Sequence, residues 1–296
     1  MTTNNRKPRA IRRVHRAQRA DMPGLKTVRA LPTRQLDQID PFLFLNHHGP
    51  DRFEPNNDGL PFAPHPHRGM QTVTFIVEGD VLHRDNAGHD DSIIERGGVQ
   101  WMVAGSGLLH LETSSPEFKE QGGDVEILQL WVNLPRDLKD VDPAYVGLQR
   151  EDMPVVEVDD GKGQVRLIAG SFGDQSGAYE PLTDVEFYWV DLESGGIFET
   201  MVEPSRNIFC YIVQGSVRVN GEEAQAMDLI EFEDQGEAVR IQADEPSLVL
   251  FGHATPYEEP VAMGGPFVMN YEGEIRQAYE DLQQGRFGTW RAQPGE

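Results

Sequence analysis

Two short stretches of this chain carry residue types that bind transition metals. His65-Pro66-His67 comes first, and His110-Leu111-Glu112 follows further along the sequence. In a β-strand the side chains at positions i and i+2 point to the same face, so each stretch can direct both of its polar side chains to one point. Three neutral imidazoles and one carboxylate suit a divalent transition metal such as iron, manganese, nickel, copper or zinc. Such a ligand set leaves coordination positions open for another molecule.

Glycine turns accompany both pairs. Gly59 precedes His65, Gly79 lies in a turn after the following strand-like run, and Gly105-Ser106-Gly107 comes just before His110. Turns at these points allow the two pairs to lie on neighbouring strands. The alternative is that these are surface histidines beside turns. The paired spacing of four ligand-type residues within one strand-rich segment favours the metal site over that alternative.

The spacing resembles the two motifs of the cupin superfamily, G-x5-H-x-H and a later G-x2-H, and four longer runs resemble the pirin family. These runs are DPFLFLNHHGP (40–50), HPHRGMQTVTFIVEG (65–79), QWMVAGSGLLHLE (100–112) and LQLWVNLP (128–135). The resemblance covers most of the chain and is most specific in residues 40–135. It implies an all-β fold of two tandem cupin β-barrels, a bicupin, with a short C-terminal helix.

The resemblance also implies what the site binds. In the pirin family a metal, usually taken to be iron, is held by the residues that match His65, His67, His110 and Glu112. Iron(II) is therefore the expected cofactor, with manganese, nickel, copper or zinc as alternatives. Gln71 departs from the pattern, since cupins and many pirins carry glutamate there. An amide cannot be an anionic ligand, which leaves Glu112 as the charged member of the set.

Strand-like runs separated by glycine turns predict an all-β chain with two domains. We predict a basic arm at 1–20, a metal-binding cupin domain at 21–135, a connection at 136–162, a second cupin domain at 163–255 and a tail with a helix at 256–296. The run EPSRNIFCYIVQG (203–215) repeats the pattern of residues 65–79. Glu203 and Ser205 stand where the first copy has histidines, so the second domain is predicted to bind no metal.

Charge and composition limit the partners. The net charge is −23, whereas residues 1–20 contain only basic charged residues. An acidic body repels phosphates, so nucleic-acid binding is expected only through the basic arm, and packing of that arm on the protein's own acidic surface is the favoured alternative.

No apolar run approaches the roughly 20 residues of a membrane span. Cys210 is the single cysteine, which excludes an internal disulfide and fits a cytoplasmic protein; we predict a buried, unreactive thiol.

The strand after His67 is expected to complete the site. If its alternation continues from His67, then Gln71, Val73 and Phe75 share the inward face and surround the metal. Arg68 either holds a carboxylate or faces solvent. The other histidines near this domain are predicted to be solvated or hydrogen-bonded surface groups, with at most one of the adjacent first two reaching the site: His47, His48, His83 and His89.

Two functions follow from the resemblance. The first is a metal-dependent dioxygenase of the quercetin 2,3-dioxygenase type, which opens a flavonol or a related enolisable phenol with O2 while Glu112 accepts the substrate's proton as general base. The second is a non-catalytic, redox-sensing iron protein that modulates a protein partner in transcription or metabolism. Both use the same four ligands, so both stay open. The chain has no P-loop, CxxC or GxSxG motif, so nucleotide binding and serine or cysteine nucleophilic chemistry have no support.

Overall fold

The computed structural model describes residues 7–292, and most of them lie in short strands. The strands of the first half are β1 Ile11–Arg16, β2 Gln18–Arg19, β3 Thr27–Leu31, β4 Phe42–Phe53, β5 Phe62–His67, β6 Met70–Glu78, β7 Asp80–Asp85, β8 Ser92–Glu95, β9 Val99–Val103, β10 Leu108–Thr113, β11 Gly123–Asn133 and β12 Ala144–Leu148. Those of the second half are β13 Val155–Val158, β14 Gly163–Ala169, β15 Ser171–Phe172, β16 Gln175–Ser176, β17 Glu186–Leu192, β18 Ile197–Met201, β19 Asn207–Gln214, β20 Ser216–Val219, β21 Glu222–Gln225, β22 Asp228–Phe232, β23 Ala238–Ala243, β24 Ser247–Ala254, β25 Ala262–Gly264 and β26 Phe267–Met269. The two α-helices in these residues are α1 Pro116–Gln121 and α2 Glu272–Gln283.

The chain forms two compact units. The unit that contains both metal-ligand pairs comprises Arg19–Val28, Phe42–Arg150 and the chain from Tyr257 onward. It has a seven-stranded sheet of order β12-β9-β6-β11-β4-β3-β2 and a four-stranded sheet of order β5-β10-β7-β8. Residues Met70 to Val77 of β6 are all buried, because this strand lies inside the larger sheet with both of its faces covered.

The other unit comprises the chain up to Gln18, Arg29–Pro41 and Glu151–Pro256. Its seven-stranded sheet has the order β1-β22-β19-β24-β17-β14-β13, and its four-stranded sheet has the order β18-β23-β20-β21. Its core is aliphatic and aromatic, with Tyr188, Phe198 and Phe251 fully or almost fully buried. The division predicted above follows position in the chain rather than spatial contact, and it stays a prediction.

The two units share one architecture. Strands β6 and β19 each take the third position of a seven-stranded sheet, and each ends at a glycine with a left-handed backbone, Gly79 at φ +85° and Gly215 at φ +82°. These strands are the two copies of the repeat at 65–79 and 203–215. The predicted fold class is therefore confirmed: the chain is all-β, with two cupin domains and a short C-terminal helix.

The basic N-terminal stretch contributes an edge strand. Strand β1 pairs antiparallel with β22, and its arginines meet acidic side chains of that region. Arg12 lies 2.8 Å from a carboxylate oxygen of Glu233, and Arg16 lies 3.2 Å from one of Asp228. Charge at a sheet edge also discourages pairing with another chain. Residues 1–6 of the predicted arm lie outside the described residues.

Helix α2 lies in the C-terminal tail, where a helix was predicted. It begins at Glu272, and the Glu274 carboxylate accepts hydrogen bonds from the backbone N–H groups of Asn270 and Tyr271, which satisfies donors at the helix start. Ile275 and Ala278 are buried on its apolar face, whereas Tyr279 is 40% exposed. Neither α1 nor α2 has the length and apolar character that crossing a membrane would require.

Candidate metal centre

Strands β5 and β10 bring three histidines together. The two strands pair antiparallel, with His110 opposite His65 and Leu108 opposite His67, so the three imidazoles share one face of the four-stranded sheet. One ring nitrogen from each of the three lies within 4.8 Å of the other two. The ring centroid of His110 is 4.3 Å from that of His65 and 5.0 Å from that of His67. This grouping suits coordination of a single ion.

Backbone carbonyls fix two of the imidazoles. Nδ1 of His65 donates to the carbonyl oxygen of Ala63 at 2.8 Å, and Nδ1 of His67 donates to that of Pro266 at 3.2 Å. A hydrogen bond at Nδ1 selects the tautomer whose Nε2 carries a lone pair, which is the form that binds a metal. Both histidines are therefore oriented as ligands.

His110 has the environment of a ligand. Its side chain is fully buried, and neither ring nitrogen has a hydrogen-bond partner among the described residues. Buried polar atoms without partners are costly and rare, and coordination of a metal would give one of these two nitrogens a partner. Burial and the neighbouring imidazoles hold the pKa of His110 well below its usual value, and burial lowers the pKa of His67 to about 3. The histidines are therefore neutral, as metal binding requires.

Glu112 lies on the same face of β10, two residues after His110. Its carboxylate is buried and lines the same cavity as His65 and His67. Oε1 accepts a hydrogen bond from the Thr74 hydroxyl at 3.1 Å and another from the Gln100 amide. Burial raises the pKa of Glu112 to about 7, although these two hydrogen bonds oppose that rise. The ring nitrogens that lie close together belong to the three histidines, and Glu112 lies next to this group.

A cavity of about 380 Å³ opens on His65, His67 and Glu112, and His110 lies buried behind them. This volume lies at the small end of the roughly 300–1,000 Å³ that is typical of small-molecule sites. One wall is aromatic: the rings of Phe44 and Trp131 stack at 4.4 Å, and Trp131 meets His67 edge to face at 5.4 Å. The described lining residues include no lysine or arginine; they are Met22, Phe44, Asn46, His48, Pro61, Phe62, Ala63, His65, His67, Glu112, Gln129, Trp131, Gly265 and Pro266.

The prediction that Gln71, Val73 and Phe75 surround the metal is wrong. On β6 it is Thr74 that pairs with Gln129 of β11 and hydrogen-bonds to Glu112, so the even-numbered positions face the site. The alternation does not continue from His67, because β5 ends there, the chain turns at Gly69 with φ +77°, and β6 begins in the other sheet. Gln71 instead accepts a hydrogen bond from the Trp101 indole at 2.9 Å.

The other histidines of this unit are buried or hydrogen-bonded rather than solvated. His48 lines the cavity and hydrogen-bonds to Thr27 at 2.8 Å, whereas His47 points to the opposite face and meets Glu126 at 2.9 Å, as adjacent residues of a strand must. His47, His48 and His83 are 0%, 2% and 1% exposed, so their prediction as surface groups is wrong. His83 shares the Asp85 carboxylate with the partly exposed His89.

Arg68 holds carboxylates, which decides between the two alternatives stated for it. Its guanidinium lies 2.7 Å from Asp281 in α2 and 3.1 Å from Asp140. The next residue, Gly69, accepts a hydrogen bond through its carbonyl from the buried Lys139 at 2.8 Å. The turn that follows His67 is therefore fixed at several points.

Sequence reasoning missed the residues that support Glu112 and His67. Thr74 and Gln100 are polar residues inside buried strands, and a polar residue at such a position was a usable signal. Pro266 lies between β25 and β26, 199 residues from the His67 side chain it contacts, and no local pattern could have found it.

Comparison with known proteins agrees with this geometry. The family model described as Pirin matches residues 24–132, and the model described as Pirin C-terminal cupin domain matches residues 187–288. A pirin-like protein of Caulobacter vibrioides is 36% identical over 272 residues, which cover 90% of this chain and 95% of that protein. The chain belongs to the pirin family.

Solved structures extend the comparison of this pirin-family chain. A crystal structure named quercetin 2,3-dioxygenase from Acinetobacter baumannii is 31% identical, with a TM-score of 0.89 over 95% of this chain and 99% of that one. A bacterial pirin of Escherichia coli in complex with nickel(II) has a TM-score of 0.65 at 21% identity and covers 82% of this chain and all of that one. The second likeness concerns the fold alone.

In the second cupin domain of this pirin-family chain, an arginine takes part in a dense polar cluster. The guanidinium of Arg206 donates to Nδ1 of His253 at 2.8 Å and to Asp184 at 2.6 Å. The nearby Glu186 accepts a hydrogen bond from the Tyr188 hydroxyl at 2.6 Å. Nδ1 of His253 is therefore engaged by Arg206 rather than left to bind a metal.

Proposed function

We propose that this protein is a metal-dependent dioxygenase of the quercetin 2,3-dioxygenase type, with iron(II) held by His65, His67, His110 and Glu112. The observation that carries the proposal is the group of three imidazoles, two of them oriented by backbone carbonyls, beside a cavity with an aromatic wall. Imidazole and carboxylate donors suit a first-row transition metal. The likeness to the structure named quercetin 2,3-dioxygenase supports the same function.

The cavity residues fit a flat, uncharged, hydroxylated aromatic molecule. Phe44 and Trp131 offer apolar ring surface, and Asn46 and Gln129 offer amide groups. Because the described lining has no lysine or arginine, a carboxylate or phosphate substrate would find no cationic side chain to pair with. When bound, the metal would supply Lewis acidity toward a substrate hydroxyl and an open position for oxygen.

Glu112 is the group that takes the substrate's proton. Oε1 is occupied by hydrogen bonds from Thr74 and Gln100, so Oε2 is the oxygen left to accept a proton or a metal. A carboxyl whose pKa is about 7 is well matched to proton transfer near neutral pH. Exclusion of bulk water by the surrounding side chains strengthens these electrostatic interactions.

Oxygen uptake with quercetin tests the proposal. We expect uptake by the iron-loaded protein and none by the metal-stripped protein, with recovery when iron(II) is restored. His67→Gln should lose both metal and uptake, whereas His15→Gln keeps both, because His15 lies in β1 of the other unit. No uptake by fully loaded wild-type protein, with quercetin or a related flavonol, would refute the proposal.

A further inference from the structure

The Thr74 hydroxyl lies between two acceptors although it carries one hydrogen. Its Oγ1 is 2.6 Å from Oε1 of Gln129 and 3.1 Å from Oε1 of Glu112. The Gln100 amide nitrogen lies 3.2 Å from the same Oγ1 and also donates to Glu112. With the Gln129 oxygen facing Thr74, the hydroxyl hydrogen can serve only one of the two oxygens.

Half a turn of the Gln129 amide resolves this conflict. The turn exchanges the amide oxygen and nitrogen without changing the shape of the side chain. Thr74 then accepts from the amide nitrogens of Gln129 and Gln100 and donates its own hydrogen to Glu112, so the Thr74 hydroxyl no longer has to serve two acceptors. The network therefore has two states, which differ in the end of the Gln129 amide that faces Thr74.

A ligand can select between these states through Gln129. Thr74 and Gln100 are each only 2% exposed, so a ligand does not reach them. Gln129 is half-buried and lines the cavity. A ligand in the cavity therefore contacts the end of the amide that points away from Thr74.

We propose that Gln129 distinguishes a ligand hydroxyl from a ligand carbonyl and passes the difference through Thr74 to Glu112. This inference rests on the proposed function. A ligand hydroxyl donates to the Gln129 oxygen, which leaves the amide nitrogen toward Thr74 and lets Thr74 donate to the Glu112 carboxylate. A ligand carbonyl accepts from the Gln129 nitrogen, which turns the oxygen to Thr74 and removes one donor from Glu112.

The site therefore prefers the hydroxylated ligand. Hydrogen bonds to a charged oxygen are stronger than those between neutral groups, so loss of the Thr74 donor weakens the state that a carbonyl selects. Gln129 is a specificity-determining residue in this arrangement, and Thr74 is a positioning residue that acts through Glu112.

A pair of matched probes tests this switch. 4-Hydroxybenzyl alcohol and 4-hydroxybenzaldehyde have equal numbers of heavy atoms and differ in the second oxygen function. Their dissociation constants are measured by calorimetry on cobalt(II)-loaded wild type, Thr74→Val, Gln129→Met and the control Thr74→Ser. The ratio of the aldehyde constant to the alcohol constant is then compared between proteins, since intrinsic differences between the probes cancel in that comparison.

We expect this ratio to fall roughly three- to ten-fold in Thr74→Val and in Gln129→Met, as loss of one hydrogen bond predicts, and to be retained in Thr74→Ser. The visible spectrum of the bound cobalt should differ between the two probes in wild type and Thr74→Ser, and not in Thr74→Val. A purely structural role of Thr74 would change affinity for both probes equally and leave the ratio unchanged.

If the ratio is unchanged in both Thr74→Val and Gln129→Met, the inference is overturned while the proposed function stands. Should Thr74→Val fail to fold, Gln129→Met decides alone, because Gln129 is half-buried at the cavity wall. Failure of cobalt-loaded wild type to bind either probe would overturn the inference, and oxygen uptake with quercetin would then decide the proposed function separately.

Discussion

At the residue scale, the environment of Glu112 gives the two oxygens of its carboxylate different roles. Thr74 and Gln100 donate hydrogen bonds to Oε1, which leaves Oε2 for the proposed proton transfer. The three histidines need no such division, because burial lowers the pKa of each and keeps them neutral. The charge of the site, and its capacity to accept a proton, therefore reside in one side chain.

Glu112→Gln should lose activity much more than it loses metal. The amide keeps the shape and a coordinating oxygen but cannot accept a proton, so we expect kcat to fall roughly 10²–10⁴-fold, the range for loss of a general base. Metal content from elemental analysis and oxygen uptake on the same sample are the paired measurements. Parallel loss of metal and activity would instead make Glu112 a ligand alone.

Cys210 should be unreactive in the folded protein. The thiol is fully buried, and burial raises its pKa, so the reactive thiolate is scarce at neutral pH. A disulfide reagent should modify no thiol in native protein and one per chain after denaturation. Rapid modification of native protein would show that the β19 region opens readily.

At the element scale, the turn between β5 and β6 sets the geometry of the site. Gly69 has φ +77°, and a Cβ on it would lie 2.0 Å from the carbonyl oxygen of Val268 in β26. Lys139 donates to the Gly69 and Val268 carbonyls, which draws the turn and β26 together. The position of His67 therefore depends on how closely two backbones approach at this turn.

Gly69→Ala should displace this turn and weaken metal binding. A left-handed conformation alone costs a non-glycine residue about 1–2 kcal/mol, and the clash with Val268 adds to that cost. Gly88→Ala is the matched control, since Gly88 has φ +102° with no atom near its added Cβ. Thermal unfolding and metal titration of both variants should show a larger loss of stability, and a loss of metal affinity, only in Gly69→Ala.

Sequence patterns predicted part of this site. The i, i+2 spacing predicted that His65 and His67 would share a face, and the structure places them with His110. The alternation failed beyond Gly69, because a turn between two sheets resets which residues point inward. The bicupin fold was predictable from repeated strands and turns, whereas the contact between His67 and Pro266 joins residues too far apart in sequence for any periodicity to relate them.

At the scale of the whole molecule, a duplicated fold carries two different polar clusters. The first cupin domain groups three neutral imidazoles, and the second pairs Arg206 with His253 and Asp184. An arginine cannot lose its proton in a protein, so its charge is permanent. The duplication therefore preserved strands and turns, while the positions of His65 and His67 are taken by Glu203 and Ser205 in the second copy.

We expect one tightly bound transition metal per chain. The His65→Ala/His67→Ala double variant should bind none, since the second domain has Glu203 and Ser205 in place of the two histidines and Nδ1 of His253 already accepts a hydrogen bond from Arg206. Elemental analysis after dialysis against a weak chelator measures the stoichiometry. One equivalent that persisted in the double variant would place the metal outside the proposed site.

The turn between β25 and β26 is made late in biosynthesis, and the metal site depends on it. Pro266, which orients His67, is synthesised long after the proposed ligands themselves. While the ribosome is still translating the second cupin domain, the nascent chain already holds His65, His67, His110 and Glu112 but lacks the carbonyl that selects the tautomer of His67. High-affinity metal loading should therefore wait for nearly full-length chains, so that a prematurely terminated product competes poorly for the cell's iron.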